Sequence, residues 1–166
     1  MGVVLGIISW DLVAIAARFF FLWYIFNMKL KIKKLFDDAV LLTRAHHDDA
    51  GIDLYSYKDQ TIEAHETIAI STGVAMEIEK GYVGLIWDKS SIGSKGLKTL
   101  GGVIDAGYRG EVKVLLHNLT DTPHTFLHGQ KVAQLLIQKI ELPEIEEVKG
   151  FSESTRGEGG FGSTGK

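Results

Sequence analysis

The sequence predicts an all-β domain. After Met28 the apolar residues fall in short runs rich in Val, Ile, Leu and aromatics, and several of these alternate with period two. Gly, Asp and Asn separate the runs, so a turn recurs every 8–12 residues or so. No long apolar stripe of helical period appears after Met28. Many short strands on that spacing suggest a sandwich, a barrel or a jelly roll.

The elements follow in order. MKLKIKKL (28–35) alternates Leu30 and Ile32 with lysines and reads as an edge strand. GIDLYSY (51–57), TIAISTGVAMEI (67–78) and GYVGLIW (81–87) are further strands. A short helical turn is expected near Ser91–Lys95. EVKVLLHNL (111–119) and KVAQLLIQKI (131–140) complete the strands. There is no internal repeat.

Two segments fall outside this pattern. Residues 1–27 are almost wholly apolar, with only Asp11 and Arg18 charged. Their length suits a membrane span, and Lys29, Lys31, Lys33 and Lys34 follow at once. The two charges would each cost about 2.5–3.5 kcal/mol near the bilayer centre. A secretory signal is not evident, since neither a positive n-region nor a cleavage site is clear. The segment is either an over-extended start, with translation beginning at Met28, or a membrane anchor; in neither case is it expected to join the domain core. Residues 28–143 form the β domain. Residues 144–166 are polar and glycine-rich and form a C-terminal arm outside the core.

Composition narrows the function. The chain has 166 residues, net charge −3 and no cysteine. Disulfides, thiolate catalysis and thiolate metal sites are excluded, which fits a cytoplasmic setting. The mild acidity argues against a general nucleic-acid binder. A polyanionic substrate must therefore be met by local donors.

Several segments could carry chemistry. In GGVIDAGYRGEV (101–112) a hairpin is expected, with a tight turn at Ala106-Gly107 and positive φ at Gly107. Such a turn presents Asp105 and Tyr108 together, a carboxylate beside an aromatic face. It could equally be a plain hairpin in which Asp105 caps its own turn. WDKSSIGSKG (87–96) places Lys89, Ser90 and Ser91 at a helix start, where anions sit well, although Ser there also serves as an ordinary cap. Asp53 lies between Ile52 and Leu54, and the default reading is a solvent-facing strand residue; it could also contact a magnesium–phosphate through water. Gln134 precedes Leu135-Leu136-Ile137 and faces either surface or ligand. His46-His47-Asp48-Asp49 resembles a metal cluster, but adjacent side chains of an extended segment point opposite ways. GFGSTGK (160–166) fits most of the phosphate-loop pattern yet lacks its strand-to-helix context. Its glycines can still cradle anions, with Arg156 as a bidentate phosphate partner and Phe161 placed to cover a base.

Taken in order, AGIDLYS, DKSSIGSKG, GGVIDAGYRGEV, GQKVAQLLI and RGEGGFGSTG resemble the five motifs of the trimeric deoxyuridine triphosphate nucleotidohydrolases (dUTPases). The resemblance spans Lys29 to Lys166. It implies a jelly-roll-like β-barrel, a homotrimer with sites between subunits, dUTP as substrate and Mg2+ as cofactor. The implied reaction is attack of water on the α-phosphate, giving dUMP and pyrophosphate. Asp105 resembles the carboxylate that activates the water, and Tyr108 the ring beneath deoxyribose. Gly102, Val103 and Ile104 would read the uracil edge with their backbone. Lys89, Ser90, Ser91 and Gln134 resemble phosphate donors, and Asp53 the acid linked to magnesium through water. Arg156, Gly162, Ser163 and Thr164 would hold the terminal phosphate, with Phe161 stacked on uracil. The second motif of the family usually begins Arg-Ser, and here it is Lys89-Ser90. Lysine keeps the charge but loses the planar two-donor fork. The related deoxycytidine triphosphate deaminases share the fold but would not need the RGEGGFGSTG arm, and a catalytically silent trimer would not need Asp105 with Tyr108.

Overall fold

The computed structural model describes residues 28–159. Residues 1–27, and Phe161, Gly162, Ser163 and Thr164 of the arm, lie outside the described residues.

The strands are β1 (Lys31–Lys34), β2 (Ile52–Tyr55), β3 (Gln60–Ile62), β4 (Thr67–Glu77), β5 (Tyr82–Trp87), β6 (Leu97–Thr99), β7 (Val103–Ile104), β8 (Glu111–Asn118), β9 (His124–Phe126) and β10 (Lys131–Lys139). One single-turn helix, α1 (Ser90–Gly93), follows β5. Two four-stranded antiparallel sheets form, in the orders β1-β4-β8-β6 and β2-β10-β5-β7, with a separate β3-β9 ribbon. This is the jelly-roll-like all-β architecture expected from the strand pattern.

The core lies between the sheets. β8 shows the cause most simply: in EVKVLLHN, Val112, Val114, Leu116 and Asn118 are buried while Lys113 and Leu115 face out. Period two places every second side chain on the inner face. Leu54, Ile70, Phe126, Val132 and Leu135 complete the interior from the other strands. Buried Asn118 is satisfied, since its amide donates to the carbonyls of Ile62, Glu63 and Thr122.

Strands β3, β6 and β9 are not legible as strands in the sequence; each is only three residues long. β1 is an edge strand, paired with β4 alone. No described helix is long and apolar enough to cross a membrane. Residues 141–159 form no strand, and Leu142, Ile145 and Phe151 are exposed.

Three expectations need correction. The segment 101–112 is not a hairpin, because β7 pairs with β5 in one sheet and β8 pairs with β4 and β6 in the other. The turn between them, closed by the Tyr108 amide donating to the Asp105 carbonyl at 3.0 Å, carries the chain from sheet to sheet. Gly107 does not have positive φ; Gly101 and Gly102 do, at 69° and 107°. Asp53 does not face solvent, being 4% exposed. β2 lies between β10 and the Thr43 bridge, so both of its edges are covered.

Candidate active site

The sheet β2-β10-β5-β7 collects four of the motif segments. Gln134 of β10 stands opposite Asp53 of β2 on one side and Trp87 of β5 on the other. The row leads into Asp88, Lys89 and α1. Gln134 Nε2 donates to the Asp88 carbonyl at 2.8 Å, which ties β10 to the start of the second motif. Gly51 makes room for that amide, since a Cβ there would lie 2.0 Å from Gln134 Oε1.

The Asp53 carboxylate accepts two ammoniums. Lys89 Nζ lies 3.0 Å from Oδ1 and Lys131 Nζ lies 2.6 Å from Oδ2. Burial alone would raise the pKa of this acid. The bonds from Lys131 and Lys89 outweigh it and hold the carboxyl below its usual range. The Lys131 ammonium is held above its ordinary value, chiefly by its bond to Asp53. The trio carries one net positive charge beside α1, where phosphate is expected.

Lys89 is the residue preceding α1 and makes no side-chain cap bond. Ser90 and Ser91 are exposed, and neither hydroxyl has a hydrogen-bond partner among the described residues. They are therefore not spent on capping. Asp88 fixes this turn from the other side: its carboxylate accepts from the Thr99 amide and hydroxyl, each at 2.7 Å, and pairs with Lys98.

The third motif builds a different corner. Gly102 packs on β5, where Ile86 N donates to the Gly102 carbonyl at 2.8 Å. A Cβ at Gly102 would meet Ile86 Cβ at 2.9 Å and its carbonyl at 3.0 Å. This close approach brings the β7 backbone down between two cavities. One, about 270 Å³, is lined by Trp87, Thr99, Gly102 and Val103 among others. The other, about 220 Å³, is lined by Val103, Ile104, Asp105, Tyr108, Glu111 and Lys113. Asp105 is exposed, and Tyr108 is 44% exposed beside it. The Tyr108 hydroxyl donates to the Glu111 carbonyl at 2.9 Å.

The two corners do not meet within one chain. β7 runs antiparallel to β5 with Ile104 opposite Gly84, so Asp105 moves away from the Trp87 end where Gln134 sits. Counting rows and strands, Asp105 stands roughly 15–20 Å from Gln134 and Asp53. Asp53, Lys89 and Gln134 come together, as do Gly102, Val103, Ile104, Asp105 and Tyr108. Arg156 joins neither group: it is exposed, and its Nε donates to the Gly159 carbonyl at 2.8 Å.

Sequence reasoning misses Lys131, Asp88 and Glu111 as contributors. Asp88 and Lys131 stand inside the quoted motifs, but nothing in their spacing shows which way they face. His46 and His47 each bond an aspartate of their own turn, Asp49 at 3.2 Å and Asp48 at 2.8 Å. No cluster of three or more His, Asp or Glu able to hold a metal occurs among the described residues.

Comparison with known proteins identifies the family. A family model described as dUTPase matches residues 37–165. The deoxyuridine 5'-triphosphate nucleotidohydrolase of Mycolicibacterium gilvum is 47% identical over 148 residues, covering 84% of this chain and 96% of that protein. The enzyme of the same name from Clostridium tetani is 44% identical over 140 residues, covering 82% and 97%. Among solved structures, the dUTPase of Staphylococcus bacteriophage 80alpha with dUPNHPP superposes with a TM-score of 0.77 at 34% identity, covering 84% of this chain and all of that one. A point mutant of the dUTPase from phage phi11 of S. aureus, described with a coordinated structural Mg(II) ion, gives a TM-score of 0.69 at 31% identity, covering 74% and 98%. This chain belongs to the dUTPase family.

Proposed function

We propose that this protein hydrolyses dUTP to dUMP and pyrophosphate, with Asp105 as the general base. The observation that carries the reading is the juxtaposition of Asp105 and Tyr108 at the rim of the β7 cavity, beside the outer edge of β7, which pairs with no strand among the described residues. The backbone amides and carbonyls there suit the edge of a uracil ring. The Tyr108 face suits a sugar, and in this reading it is the wall that a 2′-hydroxyl would meet. The Asp105 carboxylate takes a proton from water as the water oxygen bonds to the α-phosphorus. The bond from that phosphorus to the bridging oxygen breaks, and pyrophosphate leaves. A positioned base of this kind contributes about 10²–10⁴-fold.

Phosphate binding falls to Lys89, Ser90, Ser91 and Gln134, whose side chains gather at the end of β5. Arg156, Phe161, Gly162, Ser163 and Thr164 of the arm cover the nucleotide, which keeps water from side reactions. The separation of the two corners favours a homotrimer in which one subunit brings Asp105 and Tyr108 to the Asp53–Lys89–Gln134 corner of another. Magnesium fits here as an ion carried by the substrate. Both Asp53 oxygens already accept an ammonium, and their remaining lone pairs suit a bond from a metal-bound water more than direct ligation. When bound, the ion neutralises phosphate charge and fixes the triphosphate for in-line attack.

The test is pyrophosphate release from dUTP, dCTP, dTTP and UTP in the presence of Mg2+. Turnover confined to dUTP is expected. Comparable turnover of dCTP or UTP overturns the assignments of uracil to residues 102–104 and of deoxyribose to Tyr108.

A further inference from the structure

The ring of Tyr108 is held by a chain of contacts that begins in another strand. Between Ser71 and Ala75, β4 bulges: four residues advance where β8 advances two. The bulge takes the buried amide of Gly73, whose φ is 69°, out of the β4–β8 ladder, and it needs an acceptor. Glu111, the first residue of β8, supplies one. Its Oε1 accepts from the Gly73 amide at 2.9 Å and from the Ser71 hydroxyl. Lys113 Nζ stands 3.6 Å from Oε2. The carboxylate side chain is only 18% exposed, and these partners outweigh the burial that would otherwise raise its pKa.

A side chain anchored in this way immobilises its own peptide unit. The carbonyl of that unit is the acceptor for the Tyr108 hydroxyl, at 2.9 Å. The hydroxyl end of the ring then packs against Gly110, where a Cβ would stand 2.4 Å from the hydroxyl oxygen and 2.7 Å from Cζ. The opposite end of the loop is held by Arg109, whose Nη1 donates to the carbonyls of Ala106 at 2.7 Å and Tyr108 at 2.8 Å. The ring is thus fixed in place, although Tyr108 remains exposed at the cavity.

We propose that Glu111 is a positioning residue for sugar selectivity. By clamping the β4 bulge with its carboxylate it fixes the carbonyl that sets the height of the Tyr108 ring, and that height decides whether a 2′-hydroxyl is admitted. The inference rests on the reading that Tyr108 lies beneath deoxyribose. A wall excludes one oxygen atom only if it cannot recede, and pocket discrimination of about 10–200-fold vanishes when it can. Glu111 touches neither base nor phosphate in this scheme, so it acts on selectivity more than on the chemical step.

The experiment compares kcat/KM for dUTP and UTP in the full-length wild type and in Glu111→Ala, Glu111→Gln, Ser71→Ala and Tyr108→Ala. In Glu111→Ala the dUTP preference is expected to fall on the order of 10-fold, mostly through faster UTP turnover. Glu111→Gln keeps an acceptor for Ser71 and Gly73 and should restore most of the preference. Ser71→Ala, which removes a single bond to the clamp, should lower it by a smaller factor and keeps the test open if Glu111→Ala does not fold. Equal loss for both substrates in Glu111→Ala, or in Ser71→Ala if only that variant folds, overturns the positioning role. Tyr108→Ala separates the two readings. If it leaves the dUTP preference intact, the deoxyribose assignment itself is wrong; if it abolishes the preference while the clamp variants do not, only the role of Glu111 is wrong.

Discussion

Lys131 reaches across from β10 to the buried carboxylate of Asp53, placing Nζ 2.6 Å from Oδ2. Lys89 holds the other oxygen. The acid has a lowered pKa in the folded chain, so its stabilising contribution is present above about pH 3.9 and is lost as pH falls through the lower folded value. The Lys131 ammonium has a raised pKa, so its contribution is present below about pH 10.4 and is lost as pH rises through the higher folded value. Replacing Lys131 with methionine leaves a buried carboxylate with one partner and should lower stability at neutral pH. Thermal melts across pH should show a smaller acid-side loss and a flatter alkaline side than the wild type. A variant whose pH–stability curve matches the wild type would show that the pair contributes nothing to folding.

Gly51 and Gln134 give a test of the phosphate corner that spares the charged groups. A Cβ at 51 would occupy the place of Gln134 Oε1. The amide is the end of a flexible side chain, so Gly51→Ala should fold, with the amide pushed off the Asp88 carbonyl. KM for dUTP should rise several-fold or more while kcat falls less, because loss of a substrate contact made before the chemical step reads out in KM. An unchanged KM would remove Gln134 from the phosphate donors.

How legible is all this in the sequence? The long strands are, because β4, β5, β8 and β10 carry enough β-branched and aliphatic residues to show the two-residue period. The motif positions of Asp105, Tyr108 and Gln134 are also legible. What the sequence conceals lies at irregularities. A register shift between Lys131 and Ala133 breaks the alternation, so the spacing from Lys131 to Gln134 does not reveal that Lys131 turns toward Asp53. The β4 bulge does the same for Glu111, whose partners Ser71 and Gly73 are about forty residues away. The expected hairpin at 101–112 fails because local turn chemistry does not say to which sheet each arm belongs. Asp53 reads as exposed because burial of a carboxylate becomes acceptable only when its cations are known.

Asp105→Asn is the direct test of the base. Asp105 is exposed at a turn and contributes no packing, so the variant should melt within a degree or two of the wild type. An amide can still accept a hydrogen bond from water but cannot take its proton. Binding of a non-hydrolysable dUTP analogue should stay within about threefold, and kcat should fall by about 10²–10⁴. A near-normal kcat would assign the base elsewhere.

Truncation after Ser154 tests the arm. The segment approaching it adds nothing to the described interior: Ile145 is fully exposed and Phe151 is 95% exposed, and among the described residues Arg156 bonds only to the carbonyl of Gly159 within its own turn. Removing residues 155–166 deletes Arg156, Phe161, Gly162, Ser163 and Thr164 while every described strand remains. The truncated chain should keep its melting temperature and its oligomeric state by light scattering. Turnover of dUTP should fall by at least about 10², since closing a site over its substrate supplies both phosphate contacts and exclusion of water. Inorganic phosphate or added arginine should not restore it, because the lost groups act only when held in place by the chain. If the truncated protein retained full activity, the grip on the terminal phosphate would have to come from the Lys89–Ser91 corner alone.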